Sequence, residues 1–333
     1  MNWIYYALSF SLALGLSLYG TPLAMKAALK YNIVDRPDGK LKDHKAQVPY
    51  LGGLSIYISF LLTLAFTFQF SQEVLGLMLS GTIVLLLGLI DDFGVLTPKV
   101  KLAGQAIAVF VLLKSGIYIK LGFLPYWAQL LLTVFWMIGL INAFNLIDIM
   151  DGLSAGVASV ALCFLFVVAV IGDREMVAVM SATMAGSLLG FLRYNFRPAR
   201  IYMGDAGSMF IGIMLGALSM NGSYTRSNMI SAVAPVLILG VPIFDTLFVM
   251  LLRFRRGVSI FRGSKDHFPL RLRKWRLSIV QTVSFSYLAT FILGLVSLGM
   301  MVSPPATAGM LLGGTIVVLL SLAYWLKKID MGL

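Results

Sequence analysis

The sequence predicts an all-α polytopic integral membrane protein, and three observations carry that reading. Of its 333 residues 59% are hydrophobic and only 12% charged, where a soluble domain has about 25% charged residues. Mean hydropathy is +0.91. Eleven apolar runs, each near the roughly 20 residues that a membrane helix needs, follow one another with short polar segments between them.

The first run, 3–27, has no early basic cluster and no small-residue cleavage site, so it is expected to be retained as a span and not removed as a signal peptide. Runs at 51–70, 73–90, 101–119, 123–141, 153–171, 176–192, 206–221, 228–252, 279–301 and 307–326 complete the set. The longest connections are about 30–50 and 253–278, too short for an extramembrane domain. A single transmembrane domain over 1–333 is therefore expected, with no soluble domain before or after it and its site built from loops and helix ends. No repeat or low-complexity tract is visible.

Orientation follows from the basic residues, because short cytoplasmic loops retain Lys and Arg. Of 26 such residues, only Lys114, Lys120, Arg174 and Arg226 fall on one side of the alternating spans. The other 22 assign the opposite side to the cytoplasm. Eleven spans then place the amino terminus outside and the carboxyl terminus inside. The net charge of +12 favours anions, either lipid head groups or phosphorylated substrates. The lone Cys163 excludes an internal disulfide, and two histidines, His44 and His267, cannot build a histidine metal cage.

Eleven of the 14 acids also sit at or near the cytoplasmic side, where the charge rule does not explain them. Asp91 and Asp92 end a span. Adjacent helical residues point about 100° apart, so one is expected to face a site and the other to support it, unless both only solvate a helix end. In INAFNLIDIMDGLSAG, residues Asn142, Asn145, Asp148 and Asp151 recur every three positions. On a continuous helix the last three would share one face about 120° wide, able to present oxygen ligands to a hard cation such as magnesium.

In RYNFRPARIYMGDAGS, Asp205 opens a span and could cap it. Gly204 and Gly207 would let a phosphate or nucleotide approach the backbone. The loop RFRRGVSIFRGSKDHFPLRLRKWR reads first as a lipid-facing basic anchor, interrupted by Asp266 and His267. Asp245 lies about 12 Å inside its span, a depth at which an acid must be paired or functional. Pro242 could open the helix beside it. A transporter would place such acids near the midplane between repeats. Here they crowd one edge.

Together, LIDDFGVLTPKVKL, NAFNLIDIMDGL, FLRYNFRPARIYMGDAGS and DRPDGKLKDHKAQVPYLGG closely resemble the polyprenyl-phosphate N-acetylhexosamine-1-phosphate transferase family, in order and spacing, over residues 30–280. The sequence looks closer to the enzymes that use UDP-GlcNAc or a related UDP-sugar than to the muramoyl-pentapeptide branch with its triple histidine. Where relatives carry His-x-His-His-Arg, this chain keeps only His267 and Arg271. The resemblance implies a magnesium-dependent membrane enzyme of the bacterial cytoplasmic membrane, with manganese as a substitute metal. It would transfer a hexosamine-1-phosphate from a UDP-N-acetylhexosamine to undecaprenyl phosphate, with no nucleic-acid polymer as partner and a homodimer as an unsurprising assembly.

By the same resemblance Asn145 and Asp205 hold the metal. Asp148 and Asp151 line the nucleotide side, and Asp91 and Asp92 flank the acceptor phosphate with Lys99 or Lys101 neutralising it. His267 and Arg271 hold the sugar phosphate. Lys42, His44 and Lys45 stand near the donor, and Asn142 and Asn195 join the substrate-binding set.

Overall fold

A computed structural model describes residues 3–35, 47–259 and 265–331. Among them the fold is helical apart from a two-residue pairing of β1 (Val34–Asp35) with β2 (Val48–Pro49), antiparallel. The helices run α1 (Trp3–Lys30), α2 (Gly52–Thr67), α3 (Gln72–Asp92), α4 (Pro98–Lys114), α5 (Tyr126–Ile147), α6 (Leu153–Ile171), α7 (Glu175–Asn195) and α8 (Gly204–Met220). A 3-10 turn, Met229–Val233, then leads into α9 (Ala234–Ile238), α10 (Gly240–Arg255), α11 (Phe268–Lys274), α12 (Ile279–Val302) and α13 (Pro305–Lys327). Each of the eleven apolar runs contains a helix.

Seven helices, α1, α3, α5, α6, α7, α12 and α13, are long and apolar enough to cross a membrane. The segment 229–255 adds an eighth if its halves, bent by 79° at Leu239, form one span, and α2 and α8 are shorter apolar helices. The bend precedes Pro242, which sits in the first turn of α10, where its missing N–H costs nothing.

Helix α8 forms the centre, buried along nearly its whole length. It reaches that position because small residues let backbones meet: a side-chain carbon on Gly88 of α3 would run into Ala206, and one on Gly212 would run into Ile141 of α5. Close approach of this kind is how helices associate in lipid, which offers no hydrophobic drive between them.

Contacts sort the helix ends into two groups. At one end Thr21 meets Ser55, Tyr194 reaches the Leu18 carbonyl, Gly53 bonds to Met203, and Gly152 bonds to Asn195. With the contacts of Lys101 to Asp91 and Asn145, these bonds join the carboxyl ends of α1, α3, α5 and α7 to the amino ends of α2, α4, α6 and α8. At the other end Ile119 bonds to Thr133, Arg226 to the Ile171 carbonyl and Asn228 to the Met300 carbonyl. The four sequence-segregated basic residues, Lys114, Lys120, Arg174 and Arg226, lie on the segments of this second end.

Candidate active site

At the first end, four helices contribute to one polar centre. Lys101, in the first turn of α4, places Nζ 2.7 Å from Asp91 Oδ2 and 2.6 Å from Asp205 Oδ2, and donates to Asn145 Oδ1 at 2.9 Å. Asn145 Nδ2 donates to Asp205 Oδ1 at 2.9 Å and to Ser208 Oγ at 3.0 Å. Asp91 and Ser208, 117 positions apart in the chain, therefore share one network. Ser208, one turn along α8 from Asp205, was not anticipated; its i, i+3 spacing on the same face was the available signal.

Asp92 does something different from its neighbour. Its Oδ1 accepts the Asp205 N–H at 2.6 Å and its Oδ2 the Ala206 N–H at 3.3 Å. It thus caps α8 from another helix, satisfying orphan donors and opposing the positive end of the dipole. Gly204 makes this possible with φ +73° and no side chain, since a carbon there would stand 2.6 Å from Asp92 Oδ2. The expectation that Gly204 and Gly207 clear space for a phosphate is corrected: Asp92 fills the space at the first, and Gly53 and Met203 that at the second. Asp205 does not cap its own helix either; Asp92 does so, and the Asp205 carboxylate turns to Lys101.

The shared-face argument for Asn145, Asp148 and Asp151 also needs correction. Helix α5 stops at Ile147; Asp148 follows with φ −78° and ψ 60°, and Asp151 lies in the turn before α6. Asp151 Oδ2 accepts the Ala199 N–H at 3.1 Å and lies 3.3 Å from Arg197 Nη1, which ties it to the loop after α7. Asp148 has no hydrogen bond or cation among the described residues. Its carboxyl is pushed up to about 8, first by burial and then by the charges of Asp205, Asp92 and Asp151. Asn195 is buried and spans Gly152 N–H and the Ile201 carbonyl, 3.0 and 2.9 Å away. Asn142 pairs with Gln105, one turn beyond Lys101 on α4.

The basic loop forms a second polar group. Asp245, fully buried in α10, accepts from His267 Nδ1 at 2.6 Å and from the Phe268 N–H at 2.8 Å. His267 Nε2 has no partner among the described residues. Arg271 is 1% exposed. It donates to Asp266 Oδ1 at 2.6 Å and to the carbonyls of Leu326 and Ile329 at 3.1 and 2.7 Å, and it stands over the Phe248 ring. Among the described residues no hydrogen bond or ion pair joins Asp245, Asp266, His267 or Arg271 to the Lys101 centre, although α10 packs against α5. Lys99 is exposed on α4. Lys42, His44 and Lys45 lie outside the described residues.

No trio of Asp, Glu, His or Cys among the described residues gathers tightly enough to enclose a metal alone. The donor set nevertheless fits a magnesium ion. Asp205, Asn145 and Asp91 offer only oxygens, those oxygens already converge on one cation, the Lys101 ammonium, and magnesium takes few protein ligands beside water and substrate phosphate.

Residues 74–223, which include Asp91, Lys101, Asn145 and Asp205, match the glycosyl transferase family 4 model. The chain is 35% identical over 281 residues to a probable undecaprenyl-phosphate N-acetylglucosaminyl 1-phosphate transferase of Bacillus subtilis, covering 82% of this chain and 78% of that one. It is 32% identical to a decaprenyl-phosphate N-acetylglucosaminephosphotransferase of Mycobacterium leprae, with 83% and 79% covered. It is likewise 32% identical to a phospho-N-acetylmuramoyl-pentapeptide-transferase of Bacillus cytotoxicus, with 80% and 88% covered. With that extent of similarity, and with its polar centre inside the matched segment, the chain belongs to glycosyl transferase family 4.

Proposed function

We propose that this protein transfers GlcNAc-1-phosphate from UDP-GlcNAc to undecaprenyl phosphate, releasing UMP and forming the lipid-linked sugar diphosphate. The observation that carries the reading is the convergence of Asp91, Asn145 and Asp205 on one cation at the bundle end where most basic residues gather. Relatives named for this transfer to polyprenyl phosphates support it.

The reaction sets one anionic phosphate against an anionic diphosphate, so the protein's task is positioning and charge neutralisation. Asp205 and Asn145 would hold a magnesium ion, or manganese in its place, which when bound neutralises the diphosphate and the departing UMP. Asp91, on the Lys101 side, is placed to accept a proton if the lipid phosphate arrives protonated. An oxygen of that phosphate attacks the sugar-linked phosphorus; the bond from this phosphorus to the bridging oxygen breaks, and UMP carries away the electron pair. The nucleophile is already an oxyanion, so no covalent enzyme intermediate is required. Asp148 and Asp151 would face the nucleotide, Lys99 the acceptor and His267 the sugar phosphate, with Arg271 acting from behind by holding the segment that carries His267.

The same reading makes residues 1–333 a single domain with eleven crossings, the amino terminus outside and the carboxyl terminus and active site on the cytoplasmic side of a bacterial cytoplasmic membrane. The alternation of helix ends and the segregation of basic residues support it. A homodimer through outer helices is compatible with the exposed apolar surface of α13.

The test is to incubate purified protein with undecaprenyl phosphate, magnesium and radiolabelled UDP-GlcNAc. Labelled lipid and released UMP are expected. Label transferred only from UDP-N-acetylmuramoyl-pentapeptide would favour the activity for which the Bacillus cytotoxicus relative is named. Transfer from no UDP-hexosamine at all would overturn the proposal.

A further inference from the structure

The oxygens assigned to a divalent cation already hold a cation supplied by the chain. Lys101 Nζ lies 2.6 Å from Asp205 Oδ2, 2.7 Å from Asp91 Oδ2 and 2.9 Å from Asn145 Oδ1. An ammonium has three N–H donors, and each has an acceptor here. The side chain is only 17% exposed, so the group sits as a bound ion and not as a loose surface charge.

We propose that Lys101 is a built-in counter-ion that occupies the divalent-cation position of the substrate-free protein and is withdrawn when metal and diphosphate donor enter together. The proposal rests on the assignment of Asp205 and Asn145 as metal ligands made above. Three arguments support it.

Without Lys101, the carboxylates of Asp91 and Asp205 would face each other with no cation between them, so the empty site needs a positive charge. With Lys101 in place, an arriving divalent ion would share the same oxygens with an ammonium a few ångströms away, and the two cations repel strongly at that range. The metal also draws its oxygens to about 2.1 Å, closer than they stand around the ammonium, so both cannot occupy the pocket. A lysine suits the exchange because its charge rides on a flexible four-carbon stem. A diphosphate entering with the metal offers the displaced ammonium a new anion. Metal and diphosphate therefore each favour binding of the other, by the same factor.

The experiment titrates purified full-length protein with Mn2+, reading free Mn2+ by electron paramagnetic resonance, without nucleotide and with UDP, after subtraction of the Mn2+–UDP complex formed in protein-free buffer. Wild type is expected to bind Mn2+ at least about tenfold more tightly with UDP than without it. Lys101→Met is expected to bind Mn2+ without nucleotide at least about tenfold more tightly than wild type, with the UDP effect reduced to about twofold or less. Asp205→Asn should lose Mn2+ binding in both backgrounds.

If Lys101→Met binds Mn2+ as wild type does while Asp205→Asn abolishes binding, the counter-ion proposal is overturned and the metal assignment stands. If Asp205→Asn binds Mn2+ normally, the metal assignment itself falls and takes the proposal with it. Because Lys101→Met leaves two carboxylates uncompensated and could fold poorly, a second measurement uses wild type alone. Acetylation of Lys101 by acetic anhydride, read by peptide mass spectrometry, should accelerate several-fold when Mn2+ is added, since the released amine becomes accessible. A labelling rate indifferent to saturating Mn2+ would overturn the proposal.

Discussion

Asp245 and His267 form a buried pair across 22 residues of sequence, with 2.6 Å between the carboxylate Oδ2 and ring Nδ1. The second carboxylate oxygen accepts the Phe268 N–H, so one side chain fixes both the histidine ring and the first turn of α11. A carboxylate bonded through Nδ1 leaves Nε2 as the ring atom that can meet a ligand.

Asp245→Ala should therefore act in two ways. It removes two hydrogen bonds to a buried charged group, each worth about 1.5–3 kcal/mol, and lowers the apparent Tm of the detergent-solubilised protein. It also frees the His267 ring. If the ring serves the donor, Asp245→Ala and His267→Ala should raise the donor KM by similar factors, and the double variant should be no worse than either. Strictly additive effects on KM would separate the two residues.

Asp91 and Asp92 are expected to part company under mutation. Asp92 caps α8 through two backbone N–H groups, and losing a cap costs about 0.5–2 kcal/mol. Asp92→Ala should lower thermal stability as well as activity. Asp91→Asn leaves Lys101 its other two acceptors, so Tm should hold while transfer to the lipid acceptor falls by at least about a hundredfold, the scale of losing one positioned electrostatic group. Thermal unfolding beside the radiolabel assay checks both; equal Tm losses would erase the division of roles.

Arg271 should not be replaceable by lysine. Its guanidinium spans Asp266 Oδ1 and the carbonyls of Leu326 and Ile329, pinning the carboxyl end of α13 to α11. A lysine keeps the charge but presents its donors from one point, and cannot reproduce the planar fork whose separate nitrogens reach Asp266 on one side and the two carbonyls on the other. Arg271→Lys is expected to cost about 2 kcal/mol and to speed proteolysis after Lys327 and Lys328. An unchanged digestion pattern would count against this pinning role.

The helices were legible because apolar runs and breakers repeat along the chain, and each run from 3–27 to 307–326 holds one. The gathering of polar residues was legible too, since topology placed Asp91, Asp148 and Asp205, with the amide of Asn145, at one end. Their division of labour was not. Adjacent Asp91 and Asp92 look alike in sequence, and only the φ of Gly204 and the closeness of Gly88 to Ala206 bring Asp92 to the α8 backbone. The end of α5 at Ile147 was hidden because no proline or glycine precedes Gly152 in that stretch. Asp245 announced a partner by its depth, but a partner across a loop leaves no periodic trace.

Asp148 supplies a pH test. It sits just beyond α5 with like charges around it and no cation among the described residues, and its carboxyl is raised to about 8, against about 3.9 in an unfolded chain. The folded state therefore holds this proton more tightly than the unfolded one, and the stability it contributes is complete below about pH 4 and is lost as pH rises through 8. In chelator, apparent Tm should fall between those limits, and Asp148→Asn, which cannot ionise, should flatten the fall. A divalent ion bound nearby favours the charged carboxylate, so added Mg2+ should raise Tm more at pH 8 than at pH 5. A variant whose Tm tracks that of wild type across the whole range would show that another group governs the pH response.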